Sequence, residues 1–238
     1  TLTRLQAGRT KEVEPLPTRF ILHAKTDEKA LPLCTDYDGL LEAARNSIYH
    51  DALVSLRPAE GGLPNYTVAE SMLVSVYYSH MFRTIAKQYA GDARKTLQGD
   101  LGTQVDLLNI SHILRLKRSF PQKDDLLTIL FPFYHKLKPE QVRAMCAADS
   151  VDGVLALVGE TPYARLFQGV EPAELDKRYP EMVLRMSRRQ LMMGRPSIYS
   201  AVAFLNLREL EMKELVTVIE TVKYQAEYDD RFAALLGQ

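Results

Sequence analysis

Residues 198–224 read IYSAVAFLNLRELEMKELVTVIETVKY. Within them Ile198, Val202, Leu205, Met212, Leu215, Ile219 and Val222 recur at steps of three, four or seven, which lines them along one stripe of an α-helix. Residues 66–89 hold neither glycine nor proline, and Met72, Val76 and Ile85 keep a helical spacing there. Val105, Leu108, Ile113 and Leu116 carry the pattern into a third long segment. No stretch sustains the period-two alternation of a half-buried strand. The fold class that follows is all-α.

Breaks between helices are legible. Pro58 to Pro64, with Gly61 and Gly62 between them, ends one helix before another. Thr67 and Glu70 have capping-box spacing, which predicts a helix start near Val68. Pro121, Pro132 and Pro139 divide the middle of the chain into short helices, and Pro139 suits a first helical position. Gly159, Pro162, Gly169 and Pro172 mark a further loop region, and Gly194 with Pro196 separates two long helices. The Asp-Gly pairs at Asp38-Gly39 and Asp152-Gly153 precede helical patterns, not hairpins.

Composition narrows the function classes. The 238 residues carry 30 Lys plus Arg against 30 Asp plus Glu, a balance unlike the basic excess of a nucleic-acid binder. No uncharged run exceeds the 12 residues of Ser71–Phe82, whereas a membrane-spanning helix needs about 20 apolar residues. The two cysteines, Cys34 and Cys146, make neither a disulfide framework nor a zinc set, and fit a reducing compartment.

The sequence also resembles itself. Asp38-Gly39-Leu40-Leu41 matches Asp152-Gly153-Val154-Leu155 at an offset of 114, and the same offset pairs Ser47 with Thr161, Tyr49 with Tyr163, and Leu53 with Phe167. Cys34 and Cys146 stand just before the two copies. Val105-Asp106-Leu107-Leu108-Asn109-Ile110 resembles Val202-Ala203-Phe204-Leu205-Asn206-Leu207, and Thr3-Arg4-Leu5 resembles Leu114-Arg115-Leu116. The expected organisation is the tail of a truncated first repeat and a linker over 1–29, a helical repeat over 30–120, a linker helix over 121–137, and a second helical repeat over 138–238.

These residues resemble the family formed by the C and d subunits of rotary V-type and A-type ATPases, the sockets of the central stalk. The resemblance lies in Lys138-Pro139-Glu140-Gln141-Val142, Asp149-Ser150-Val151-Asp152, Thr161-Pro162-Tyr163 and Leu166-Phe167. It continues in Asp106-Leu107-Leu108-Asn109 with Arg115 and Lys117, similar to that family's D-x-x-N…R-x-K helix. The closing run, Ala203-Phe204-Leu205 followed by Glu209 to Leu215, is similar to its last long helix, with Arg208 in place of a lysine and Phe204 in place of a tyrosine. The similarity spans roughly residues 30–224. It implies helical subdomains forming a funnel, one of them largely missing here, on the cytoplasmic side of a membrane. It further implies a peripheral, non-catalytic part of a proton- or sodium-translocating complex, whose partners are the central-stalk shaft subunits and the membrane proteolipid ring.

No catalytic constellation competes with that expectation. Asp106 and Asn109 share a helix face, while Arg115, nine residues on, is half a turn out of phase with Asp106. Asp106, Asn109, Arg115, Asn206, Glu209 and Glu211 are therefore expected to have structural roles, and Asp38, Tyr49, Asp152 and Tyr163 to mark the repeat. His23, His50, His80, His112 and His135 offer no H-x-x-x-H pair, and neither a phosphate loop nor a nucleophile elbow occurs. Tyr77 and Tyr78 point about 100° apart on a helix and read as core packing, as do Met182, Met186, Met192 and Met193. A diiron bundle would need E-x-x-H pairs, which are absent. No cofactor, metal, nucleic acid, small-molecule substrate or direct lipid contact is expected. The competing reading is a helical scaffold that binds soluble partners only.

Overall fold

The computed structural model describes residues 1–9, 25–27, 29–119, 126–170, 174, 178–192 and 197–224. His23, Pro121, Pro172, Met193, Gly194 and Pro196 lie outside them. Among the described residues every regular element is helical and none is a strand, so the chain is all-α. It divides into two compact units.

The first unit comprises residues 1–87 and 124–132. It contains α1 (Leu2–Gln6), a 3-10 turn at Leu31–Leu33, α2 (Tyr37–Ala43), α3 (His50–Ser55), α4 (Tyr66–Gln88) but for its last residue, and a 3-10 turn at Leu126–Ile129. Tyr37, Leu40, Ala44 and Leu53 form its core, and the Tyr37 hydroxyl donates to the Leu53 carbonyl at 2.7 Å. Asn65, not Thr67, opens α4. Its Oδ1 accepts from the Val68 N–H at 3.2 Å, the reach an N-cap amide needs to satisfy an orphan donor of the first turn. Ser71 donates to the Ile129 carbonyl at 2.7 Å, and the Tyr78 ring lies 5.7 Å from Phe131, which ties residues 126–132 to α4. Tyr78 is buried while Tyr77 stays exposed. The linker helix expected over 121–137 is, in its described part, one 3-10 turn followed by irregular chain through Pro132, whose ring supplies no N–H to continue a helix.

The second unit comprises residues 88–123 and 133–238. Its centre is α5 (Gly91–Ser119), where Val105, Leu107, Ile110 and Ile113 are fully buried. Burial on more than one face marks a helix enclosed by its neighbours. They are α6 (Pro139–Ala147), α7 (Val151–Val158), α9 (Arg178–Met192) and α10 (Ile198–Tyr224), with α8 (Ala164–Phe167) packed on α7. This enclosure groups α5 with residues 133–238 in space, although the repeat read from sequence carries its first copy through residue 120. Pro139 is the first residue of α6, as its position predicts. Helices α9 and α10 meet along Val183, Leu184, Leu207 and Leu210. Gln190 donates to Asp100 at 3.0 Å, which joins α9 to α5.

Each unit contains the same local hydrogen-bond pattern, displaced by 114 residues. Asp36 caps α2 by accepting from the Gly39 N–H at 2.8 Å, and Ser150 caps α7 by accepting from the Gly153 N–H at 3.1 Å. The Asp-Gly pairs therefore sit inside the first helical turn instead of ahead of it. Ser47 Oγ donates to the Ala44 carbonyl at 2.7 Å and accepts from the Tyr49 N–H at 3.2 Å. Thr161 Oγ1 donates to the Val158 carbonyl at 2.7 Å and accepts from the Tyr163 N–H at 3.2 Å. Leu40 and Val154 are both buried, as are Leu53 and Phe167.

Candidate functional site

Among the described residues of the second unit, Asp106 is a fully buried acidic group. Apolar neighbours at Val105, Leu107 and Ile110 keep this turn of α5 inside the core, so the carboxylate reaches no water. Residues 135–137 bring three consecutive backbone N–H groups to it. His135 donates to Oδ1 at 3.0 Å, and Lys136 and Leu137 donate to Oδ2 at 2.7 and 3.1 Å. The Tyr163 hydroxyl adds a fourth bond to Oδ2 at 2.7 Å. Charge-assisted bonds of this kind are the strong ones, and together they compensate burial of the charge.

Tyr163 is held from several sides. Thr103, one turn before Asp106, hydrogen-bonds its hydroxyl, and the Lys136 ammonium lies 5.9 Å from its ring centre. Burial, then the bond to Asp106 and the charge of that carboxylate, push the phenol far above the ordinary tyrosine range, and Thr103 opposes the shift. Tyr163 is thus a permanent donor. The cluster can anchor the 135–137 loop and α8 to α5. Its carboxylate is enclosed by structural donors and has no surface to offer a substrate.

Gly102 completes the node. A Cβ there would stand 2.7 Å from Cβ and Cγ of His135, closer than real atoms approach. The glycine lets the loop descend far enough for its amides to reach Asp106.

The other residues singled out from sequence are dispersed. Asn109 is fully buried on α5, whereas Asn206 on α10 is only partly buried, so the two amides differ in environment. Arg115 is exposed. Glu209 pairs with Lys213 at 2.7 Å and Glu211 pairs with Arg208, both on the surface of α10. Asp38 pairs with Arg57, Asp152 is exposed, and Tyr49 lines an open groove of the first unit. The match of Arg4 to Arg115 is corrected by their surroundings. Arg4 is buried, donates to the carbonyls of Pro32 and Cys34, and bears on the Cys34 thiol. The buried cation beside Cys146 is Lys117, two residues beyond the exposed Arg115.

Sequence reasoning separated Asp106 from Tyr163, which the structure joins. It also missed the 135–137 amides, because backbone donors have no letter in a sequence. Gly102 was the available signal, being a glycine inside a long helix, a position that costs about 1 kcal/mol unless packing requires it.

Among the described residues, α10 carries the largest group of exposed large apolar side chains. Leu205, Met212 and Ile219 repeat every seven residues and are 64%, 60% and 64% exposed, and Leu215, Val216 and Val222 flank them. The helix is buried instead through Ala203 and Leu210. The apolar stripe that identified the helix is therefore the face it does not bury. Met192 is likewise 84% exposed, not core. Among the described residues no helix is long and apolar enough to cross a membrane, and no three His, Cys, Asp or Glu side chains converge on a metal-sized site.

Residues 6–230 match the sequence profile of the ATP synthase (C/AC39) subunit family. The chain is also 23% identical over 192 residues to the C subunit of an A-type ATP synthase from Methanothermobacter thermautotrophicus strain Delta H. That match covers 77% of this chain and 46% of the relative, so the chain spans about half the length of the protein it resembles.

Proposed function

The chain belongs to the ATP synthase (C/AC39) subunit family, and on that premise we propose that it is a non-catalytic coupling component of an A/V-type rotary ATPase. In this reading it joins the central rotor shaft to the proteolipid ring as a peripheral component on the cytoplasmic face of the membrane. The observation that carries the reading is the exposed stripe of α10. A heptad-spaced apolar row on a helix of 27 residues, about 40 Å long, suits another helix laid along it. A coupling surface must hold under torque, and a seam of that length provides many contacts in parallel. The buried, four-fold-bonded Asp106 fits a stiffening part and not a reactive one.

The test is reconstitution with purified shaft and ring. Leu205→Asp with Ile219→Asp is expected to abolish recovery of the shaft with the ring while leaving the melting temperature within a degree or two, because both positions are exposed. Undiminished recovery would overturn the assignment of α10. Binding of the parent chain to bare anionic vesicles as strongly as to the ring would overturn the protein-mediated attachment.

A further inference from the structure

Helix α10 has two apolar sides. Leu207 and Leu210 pack against α9, and Ala203 is buried on the same side. Leu205 and Met212 each stand two residues beyond Ala203 and Leu210, about 200° round the helix. With Leu215, Val216, Ile219 and Val222 they make a second side whose members are 48% to 73% exposed. It points away from α9, so another helix can lie along it without displacing one already there. The charges on this side are few. Arg208 interrupts the stripe, pairs with Glu211 and lies 5.1 Å from the Phe204 ring centre. Glu209 and Lys223, both exposed, mark one edge of the stripe two heptads apart.

We infer that α10 docks against α10 of a second copy of this chain, antiparallel, about a twofold axis level with Thr217. In that register Met212 meets Val222 of the other copy and Leu215 meets Ile219, each twice, which gives four apolar layers. Val216 meets its own counterpart, and Glu209 comes opposite Lys223 of the other copy, again twice. Other arrangements of the same two helices are worse. Parallel pairing in register sets Arg208 against Arg208 in the seam and brings no opposite charges across it. An antiparallel register one heptad away sets Arg208 against Ile219 and Glu209 against Val216. The stripe is therefore complementary to itself in one arrangement, which is what an isologous contact requires. Five apolar side chains from each copy are removed from water, on the order of several hundred Å² per copy against the roughly 800 Å² of a standard interface, so the pair is reversible. Its consequence rests on the reading of α10 as the coupling surface. A copy outside the rotary complex has that surface covered, and the shaft must displace the second copy to bind.

The test is sedimentation velocity of the intact chain over a micromolar-to-submillimolar series, where a reversible dimer is expected. Ile219→Asp, at an exposed position, should make the chain monomeric without changing its helix content. Glu209→Lys should weaken the dimer about tenfold, because two opposite-charge pairs become like-charge pairs, and adding Lys223→Glu should restore it. Nitroxide labels report the orientation. Labels at Val216→Cys should lie within about 20 Å of each other, whereas labels at Leu205→Cys, twelve residues from the axis in each copy, should lie about 36 Å or more apart. A chain that stays monomeric throughout would overturn the self-pairing, as would a dimer indifferent to Ile219→Asp. Short distances at both labelled positions, or a Glu209→Lys loss that Lys223→Glu fails to restore, would overturn the antiparallel register. Purified shaft separates this inference from the coupling role. Shaft that binds a chain unable to dimerise would leave the coupling role standing and sink the self-pairing. A dimer that excess shaft fails to dissociate would support the self-pairing and count against α10 as the surface that meets the shaft.

Discussion

Asp106 and Tyr163 are 57 residues apart in sequence and share a 2.7 Å hydrogen bond inside the second unit, where neither side chain meets solvent. The bond joins α5 to the segment leading into α8, and the 135–137 amides close round the same carboxylate. Asp106→Ala would leave a buried hydroxyl and three backbone N–H groups without their acceptor. The expected loss is about 3 kcal/mol or more, measured by urea unfolding. Tyr163→Phe keeps the ring and removes one bond to a charge, with an expected loss of about 1.5–3 kcal/mol. The double variant should be less destabilised than the sum, because both changes remove the same contact. Strict additivity would show that the bond contributes nothing.

Gly102→Ala separates packing from propensity. In a solvated helix this change stabilises by about 1 kcal/mol. Here the new methyl would meet His135 at 2.7 Å, and the displaced loop would carry its amides away from Asp106. A net destabilisation of about 1–3 kcal/mol is expected by chemical denaturation. Gly99→Ala, three residues earlier with nothing within 4 Å of its Cβ, is the control and should stabilise the chain.

The helices were legible because their apolar spacing is local information. Pro139 opens α6 and residues 66–88 form one helix, both as local rules require. Which face of a helix is buried is not local. The stripe of Leu205, Met212 and Ile219 gave away α10 as a helix, yet that stripe is exposed and the helix packs through Ala203, Leu207 and Leu210. Apolar periodicity reports that a face wants burial, not that its cover belongs to the same chain. The Asp106 node was half legible for a related reason. Asp106 and Tyr163 each stood out within their own segments, but their pairing depends on how segments 57 residues apart are folded together.

Both thiols should be slow to react in the folded chain. Burial raises the Cys34 thiol, and the charge of Arg4 only partly opposes it. Burial pushes Cys146 up to about 11, against the pull of Lys117. The thiolate is the reactive form, so at pH 8 the shift alone should slow Cys146 by about a hundredfold relative to the unfolded chain. Titration with a chromogenic disulfide should show little native reaction over minutes and two thiols in urea. A fast native phase that Cys146→Ser removes would contradict the placement of that side chain.

The pH dependence of stability should carry a signature of His112. Burial strips water from its imidazole, and the charge of Arg115, three residues on, disfavours a second cation. Together they lower its pKa from 6.5 to about 4. The native state therefore keeps His112 neutral where the unfolded chain has already bound a proton. Stability from this group is complete above pH 6.5 and falls as pH drops toward 4, with a slope of at most about 1.4 kcal/mol per pH unit, because the unfolded state binds more protons in that window. Carboxylates contribute at the acid end as well, so the reading must be differential. His112→Gln retains a polar side chain of similar reach and does not titrate. Urea unfolding of parent and variant at pH 7.5, 6.5, 5.5 and 4.5 should give stability curves that run parallel above pH 6.5. Below it the parent should fall more steeply. Arg115→Gln in the parent background should reduce the steepness by removing the repelling charge. Parallel curves across the whole range would mean that His112 takes its proton as readily in the folded chain as in the unfolded one, and the enclosed environment of this turn of α5 would be wrong.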